Sequence, residues 1–235
     1  MLLKIRRFSN SEKSHKDLEA KWLTKPGADY FEINWFESNS GIISDGDKPL
    51  KHFPEFSGTV FKQKVKPVQG YVMQLRSVGV DYFGNITYGE WRTQHIFSEF
   101  PPLTKLSFDD LGCDTADYSW ANVGYNASYK IELYDMDRNE GVATYVTRNT
   151  KYQIAQMKNA NKYMVSIYAF NNNTRGDEAE AGFITELCPP DDVHSPHQED
   201  TALEIEWTAV HLADYYRIKI HPPPSDGYVE REGRV

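Results

Sequence analysis

Three stretches of the sequence decide the fold: Leu18-Glu-Ala-Lys-Trp22, Ala116-Asp-Tyr-Ser-Trp120 and Leu203-Glu-Ile-Glu-Trp207. In each stretch every second residue is mostly apolar or small, and a period of two is typical of a half-buried β-strand. Nine residues after each Trp stands an aromatic residue with an Ile two positions later, and these pairs are Phe31/Ile33, Tyr129/Ile131 and Tyr216/Ile218. The same alternation around these pairs predicts a second strand. The tryptophans are 98 and 87 residues apart, so the chain contains a repeat of about 90–100 residues.

The first two repeats carry a further pair of strands, which the sequence predicts at 72–78 with 86–97 and at 164–169 with 181–187. Before the first strand of each pair an apolar residue stands six positions ahead of a Tyr: Val65 before Tyr71, and Met157 before Tyr163. This spacing predicts a tyrosine corner, in which the Tyr hydroxyl bonds to backbone just upstream. No segment has convincing helical periodicity over three turns. The sequence therefore predicts an all-β array of sandwiches.

The Trp near the end of one strand, the aromatic-x-Ile of the next and the corner at Val65-x-Pro67-x-x-x-Tyr71 resemble the fibronectin type III domain. The second corner carries Asn159 where that pattern has proline. The resemblance implies tandem seven-strand immunoglobulin-like sandwiches, whose strands are lettered A, B, C, C′, E, F and G. We predict module one at 1–99, module two at 100–188 and an incomplete module three, with strands A to C, at 189–235. The pairs Pro101-Pro102 and Pro189-Pro190 fall where such domains usually begin.

Module three ends soon after its predicted strand C. Half a sandwich leaves an apolar face uncovered, so we expect that the chain is a piece of a longer protein. The start of the sequence has no apolar stretch of the kind found in a secretory signal. If the chain is a piece of a longer protein, this lack is only weak evidence against secretion. The residues that then lack partners are Leu203, Ile205, Trp207, Tyr216, Ile218 and Ile220.

The two cysteines and three sequons bear on the cellular compartment. In the topology that the resemblance implies, Cys113, between strands A and B, and Cys188, at the end of strand G, lie at one pole of module two. They either form a disulfide or remain two reduced thiols of a cytosolic protein. The predicted glycosylation sites lie on loops or loop edges and are Asn85, Asn126 and Asn172. Together these features favour an extracellular setting.

Arg175-Gly176-Asp177 stands between predicted strands F and G of module two. In fibronectin and tenascin, which the sequence resembles, this tripeptide is an integrin ligand in the same loop. A carboxylate suits a divalent cation held by the receptor, a guanidinium suits an acidic pocket, and Gly permits a tight turn. The other interpretation is a solvated turn, because such loops favour Gly, Asp and Asn, and because Glu178 and Glu180 would repel an acidic pocket.

Composition excludes other classes of function. The 235 residues carry a formal net charge of −8, which argues against a nucleic-acid-binding surface, and no apolar run is long enough to span a membrane. We find no nucleophile motif, phosphate loop or metal-ligand spacing, and therefore predict no enzyme, no cofactor and no metal site. Arg76 and Trp91 are placed to stack, which we interpret as packing.

These observations predict a non-catalytic adhesion, recognition and spacer segment at the cell surface or in the extracellular matrix. Its predicted partners are cell-surface or matrix proteins, with an integrin as the specific candidate. Two alternatives stay open. The chain is an ectodomain fragment of a single-pass receptor, similar to a receptor tyrosine phosphatase, with the membrane segment elsewhere in the parent protein. Otherwise it is an intracellular structural array.

Overall fold

A computed structural model of the protein describes residues 7–23, 27–199, 203–219 and 231–234. Every regular element in these ranges is a β-strand. The strands of module one are β1 (Arg7–Lys13), β2 (Asp17–Leu23), β3 (Tyr30–Glu37), β4 (Lys51–Phe56), β5 (Val60–Lys64), β6 (Gly70–Val80), β7 (Ile86–Tyr88) and β8 (Arg92–Phe97). Those of module two are β9 (Ser107–Leu111), β10 (Ala116–Ser119), β11 (Ser128–Asp135), β12 (Glu140–Thr147), β13 (Lys151–Ile154), β14 (Lys162–Phe170) and β15 (Ala179–Ile184).

Each of these modules has two antiparallel sheets with the same strand order. One sheet is β1-β2-β5 in module one and β9-β10-β13 in module two, which is the order A-B-E. The other sheet is β12-β11-β14-β15 in module two, the order C′-C-F-G. In module one β4-β3-β6 forms the same path, and β6 pairs with both β7 and β8. The predicted all-β sandwich class is therefore confirmed, whereas the predicted boundaries at 99/100 and 188/189 stay predictions.

The alternating residues that predicted strands B and C form the two cores. Leu18, Ala20 and Trp22 are buried against Ile33 and Trp35 in module one. In module two the members of the core that come from these strands are Ala116, Tyr118, Trp120, Tyr129, Ile131 and Leu133. The period-two pattern thus identified the inward faces correctly, because both strands carry most of their buried apolar side chains on one side.

Both tyrosine corners are present. The backbone N–H of Lys66 donates to the Tyr71 hydroxyl over 2.9 Å, and that of Lys158 donates to the Tyr163 hydroxyl over 3.0 Å. The loss of proline at Asn159 does not prevent the second corner, because the bond uses the backbone N–H of Lys158 and not the side chain that follows it.

A second set of hydrogen bonds, which the sequence did not predict, lies at the same end of each module. The Ser98 hydroxyl donates to the Lys66 carbonyl over 2.6 Å and accepts from the N–H of Gln69. In module two the Thr185 hydroxyl donates to the Lys158 carbonyl over 2.6 Å and accepts from the N–H of Asn161. A buried hydroxyl therefore ties the end of strand G to the E–F corner in both modules.

The predicted last strand of module one, 86–97, is wrong as a continuous strand. The chain leaves the sheet edge between β7 and β8, where the N–H of Gly89 donates to the Ser77 carbonyl over 2.8 Å and Trp91 stacks on Arg76. The last strand of module two also ends earlier than predicted, at Ile184 rather than Leu187.

Module three is less regular than predicted. Residues 203–207 form no continuous strand and make only the isolated bridges Gln198↔Leu203 and His194↔Glu206. β16 (Tyr215–Ile218) pairs with β17 (Arg231–Arg234) as a hairpin. The apolar side chains of the predicted half core line an open depression of about 440 Å³, and these are Ile205, Trp207, Tyr216 and Ile218. Leu203 is exposed, and Ile220 lies outside the described residues.

The junction between modules one and two is short and packed. The N–H of Val68, in the E–F corner of module one, donates to the Glu99 carbonyl over 3.2 Å, and Val68 also packs against the core of module two. Phe100, the next residue, is 1% exposed and belongs to the core of module two. Consecutive residues are thus held by different modules, which restrains bending at this junction.

Candidate functional site

The loop between β14 and β15 contains the predicted tripeptide, but its tight turn lies before the tripeptide. The Asn171 side-chain oxygen accepts from the N–H groups of Asn173 and Thr174, each over 2.9 Å. The N–H of Asn171 donates in turn to the Thr174 carbonyl over 3.0 Å. These bonds place the loop tip at 171–174, so Arg175, Gly176 and Asp177 lie on the limb that returns to the sheet.

Arg175 is folded back onto the outer surface of β14. Its Nη1 lies 3.2 Å from Glu178 Oε1, and its guanidinium carbon lies 5.0 Å above the centroid of the Tyr168 ring. Its backbone also makes an isolated bridge with Phe170. The guanidinium therefore already has an acidic and an aromatic partner within its own module.

Gly176 is buried, and packing accounts for the glycine at this position. Its N–H donates to the Ala169 carbonyl over 2.9 Å. A Cβ built on Gly176 would lie 3.0 Å from the Phe100 Cβ and 3.2 Å from the Phe100 carbonyl oxygen. The expectation that this Gly turns the chain at a loop tip is not met; it admits the close approach of the residue that joins the two modules.

We expect Gly176→Ala to destabilise module two by about 1–3 kcal/mol, because the added methyl group meets Phe100 backbone and Cβ atoms that no rotamer change can move. Urea unfolding of the full chain measures this loss. Gly182→Ala is the matched control, because its Cβ would lie 3.8 Å from the nearest atom, an ordinary contact. Equal midpoints for the two variants would contradict the packing account.

Asp177 is exposed, as Arg175 and Glu178 are. In the part of the chain that the structure describes it has no hydrogen-bond or ion-pair partner. Of the three residues of the tripeptide, only Asp177 is thus presented freely to solvent, next to the exposed Glu178.

The three predicted glycosylation asparagines are all exposed. Asn126 lies in the turn before β11 with a φ of 51°, and Asn172 lies at the tip of the loop that carries Arg175. Asn85 lies before β7, and its Nδ2 donates to Asp81 Oδ2 over 2.8 Å. Their positions leave room for a glycan, and glycosylation stays a prediction.

Cys113 and Cys188 are joined by a disulfide with a Cα–Cα distance of 4.8 Å. The bond ties the β9–β10 turn to the segment that follows β15. The N–H of Glu186 also donates to the Gly112 carbonyl over 3.0 Å, next to the disulfide. The bond therefore closes module two at the pole that faces module three along the chain.

The most exposed aromatic side chains described in the structure lie in module one, and the sequence analysis missed them. Tyr82 is 97% exposed and Phe83 is 86% exposed, and their ring centroids are 5.6 Å apart. Both stand in the turn between β6 and β7. The signal in the sequence is Asp81-Tyr-Phe-Gly-Asn85, in which turn-forming residues enclose two aromatics that cannot both face a core.

Asp81 organises this turn. Its Oδ1 accepts from the N–H groups of Phe83 over 2.9 Å and Asn85 over 2.8 Å, and its backbone carbonyl accepts from the N–H of Gly84 over 3.0 Å. The hydrogen bonds from Asn85 hold the pKa of Asp81 below its ordinary value. At the base of the turn Asp29 Oδ2 accepts from the N–H of Val80 over 2.7 Å.

The sheet face next to this turn carries a stacked cation. The Arg76 guanidinium carbon lies 4.0 Å above the centroid of Tyr88 and 4.5 Å above that of Trp91, which confirms the predicted stacking with Trp91. Arg76 Nε also donates to Glu32 Oε2 over 2.6 Å. Its charge is therefore neutralised within the face.

Within the described ranges, no group of three or more His, Cys, Asp or Glu side chains is arranged to hold a metal ion. The same ranges contain no helix of the length and apolar character needed to cross a membrane.

Comparisons with known proteins find likeness at the level of structure. No family model and no curated protein matches the sequence. A two-domain fibronectin type III segment from chicken tenascin is 14% identical, with a TM-score of 0.48; the match covers 77% of this chain and 99% of that one. The FN1-FN3 domains of chicken CNTN1 are 15% identical, with a TM-score of 0.35, and the match covers 79% of this chain and 67% of that one.

The fold follows from the geometry of the chain itself. Modules one and two share the sheet orders A-B-E and C′-C-F-G, a tyrosine corner before strand F and an inward Trp on strand B. Modules one and two therefore have the fibronectin type III fold.

Proposed function

We propose that this chain is a non-catalytic recognition and spacer segment of an extracellular protein. The observation that carries the proposal is the disulfide between Cys113 and Cys188 in a sandwich of this fold, because disulfides persist in oxidising compartments. The packed junction at Val68 and Phe100 supports the spacer role, since a segment that resists bending holds its recognition surfaces apart.

Expression of the chain behind an added secretory signal peptide in eukaryotic cells tests the compartment. We expect secreted, folded protein without free thiols and with glycans on Asn85, Asn126 or Asn172, as read by intact mass and peptide mapping. Retention of the chain inside the cell, together with reduced thiols in the folded protein, would instead support the intracellular structural array.

As the specific ligand we propose an integrin, bound through Arg175, Gly176 and Asp177. The exposed Asp177 carboxylate supports this, because it is free to coordinate a divalent cation held by the receptor. Arg175 would have to leave Glu178, and an exposed ion pair of this kind contributes less than about 1 kcal/mol. The buried Gly176 opposes a large rearrangement, so the two side chains must reach the receptor from a fixed backbone.

Attachment of integrin-bearing cells to the immobilised full chain tests this ligand. We expect Asp177→Glu to abolish attachment, because the added methylene displaces the carboxylate from the cation, and we expect a chelator of divalent cations to do the same. Glu180→Asp is the matched control, as an equally conservative change at an exposed acid of the same hairpin. If cells still attach to the Asp177→Glu variant, the proposal of integrin binding through Arg175–Asp177 is wrong, whereas the proposed spacer role is not affected.

A further inference from the structure

The hairpin of β6 and β7 in module one exposes a continuous series of apolar side chains. Besides Tyr82 and Phe83 it presents Val80, Ile86 and Tyr88, each between 41% and 51% exposed. Clustered exposed apolar side chains are uncommon on soluble proteins and mark interaction surfaces more often than chance. We name these five residues the hairpin patch.

The backbone of the hairpin patch is fixed by hydrogen bonds. Four hydrogen bonds from backbone N–H groups to oxygens of Asp81 and Asp29 fix the turn that carries Tyr82 and Phe83. The Arg76 stack then fixes Tyr88 on the adjoining sheet face. A surface that is already ordered loses little conformational entropy on binding, so exposed aromatics on it can act as binding anchors.

The rim of the hairpin patch is acidic. Asp81 lies in the turn itself and Asp29 binds the N–H of Val80 at its base, and both residues are exposed. Tyr30 pairs with Val78, which pairs with Tyr88, and its pKa is raised by burial and then by the nearby Glu55, Tyr88, Glu32 and Asp29. A complementary partner must therefore combine an apolar surface with basic side chains.

We propose that the hairpin patch is a docking site for a partner protein segment that presents apolar side chains together with Lys and Arg side chains. Tyr82 and Phe83 contact the apolar side chains, and the acidic rim pairs with the basic ones. This site lies in a different module from Arg175–Asp177 and does not depend on integrin binding.

The charges disfavour two other occupants. An anionic lipid surface would be repelled by the rim, although exposed aromatics at a loop tip suit the interfacial region of a bilayer. A second copy of this chain would bring acidic rim against acidic rim in a symmetric dimer of molecules that each carry a net charge of −8.

Selection from a displayed library of short random peptides against the immobilised full chain tests the chemistry of the site. The chain carries Thr87→Ala, which removes the sequon at Asn85 while leaving the Asn85–Asp81 hydrogen bond in place. We expect the enriched peptides to join apolar residues to Lys or Arg. Tyr82→Ser and Phe83→Ser should each weaken their binding at least about tenfold, and affinity should fall as salt is raised.

The matched control is Ile42→Ser with Leu50→Ser, since both side chains are exposed in module one outside the hairpin patch. We expect the control to bind like the parent chain, and all variants to keep the parent's unfolding midpoint. Binding of the chain to vesicles of phosphatidylcholine with phosphatidylserine tests the lipid surface as occupant. Sedimentation of the chain alone tests for a dimer. The proposal fails if no enriched peptide depends on Tyr82 and Phe83, or if the dependent peptides lack basic residues. It fails equally if these two residues instead drive vesicle binding or dimerisation.

Discussion

Replacing Cys113 and Cys188 together by Ser is expected to lower the free energy of unfolding of module two by about 4 kcal/mol. The disulfide closes a loop with a sequence separation of 75 residues, which contains every strand from β10 to β15. On the chain-entropy model, opening a loop of this length raises the conformational entropy of the unfolded chain. The free energy of the unfolded state then falls by about 4 kcal/mol. Folded domains are stable by only about 5–15 kcal/mol, so the loss is a large fraction of the total.

Urea unfolding of the full chain measures this effect. With a slope of about 2 kcal/mol per molar urea, the transition of module two should move to lower urea by about 2 M. The module-one transition should stay where it is, because its strands lie outside the closed loop. Reductant added to the unsubstituted chain should reproduce the shift of the double variant. A module-two midpoint that responds to neither change would show that the disulfide contributes no stability.

Strands B and C of modules one and two were predictable because each carries two signals at once. Leu18, Ala20 and Trp22 repeat with period two, and the same spacing to an aromatic-x-Ile pair returns in each repeat. The corners were predictable for a similar reason, because the hydroxyl of Tyr71 must find a partner within a few residues of its own position. The pole shared by Cys113 and Cys188 followed from the strand directions of the topology that the resemblance implies.

The edge strands C′ were not predicted. β4 and β12 are strands C′ of the two modules, and most of their side chains are exposed on both faces. Each strand packs only two apolar side chains against its core, Phe53 and Phe56 in β4 and Ala143 and Tyr145 in β12, which is too few for a clear period-two pattern. Backbone pairing with β3 and β11 sets the position of these strands, and such pairing does not require particular residue types.

The sequence also could not predict where the tripeptide Arg175–Asp177 lies within its loop. Asn171 and Gly176 are both turn formers, and residue type does not tell which of them makes the turn. The contact of Gly176 with Phe100 joins residues far apart in the chain, within module two and next to its junction with module one. Tyr82 and Phe83 were missed for the opposite reason. Aromatic residues are expected in cores, and their exposure depends on which side of a short turn each one leaves the sheet.

The tryptophans that revealed the repeat should differ in energetic weight. We expect Trp120→Ala to lower the free energy of unfolding of module two by about 3–5 kcal/mol, because a large buried side chain leaves a cavity when it is removed. Trp120 is 5% exposed and contacts the Tyr118 and Tyr129 rings, with centroid distances of 5.6 and 5.2 Å. Its Nε1 is buried without a hydrogen-bond partner among the described residues, so its contribution comes from packing.

Trp207 occupies the same place in the repeat and supplies the matched comparison. It contacts the Tyr216 ring at 5.2 Å, but it lines an open depression instead of a closed core. Its removal leaves no sealed cavity, so we expect Trp207→Ala to leave the module-two midpoint unchanged and to cost module three less than about 1 kcal/mol. Urea unfolding followed by fluorescence measures both variants of the full chain. Comparable losses for Trp120→Ala and Trp207→Ala would mean that the face of module three is covered in solution, which is opposite to the exposure described for it.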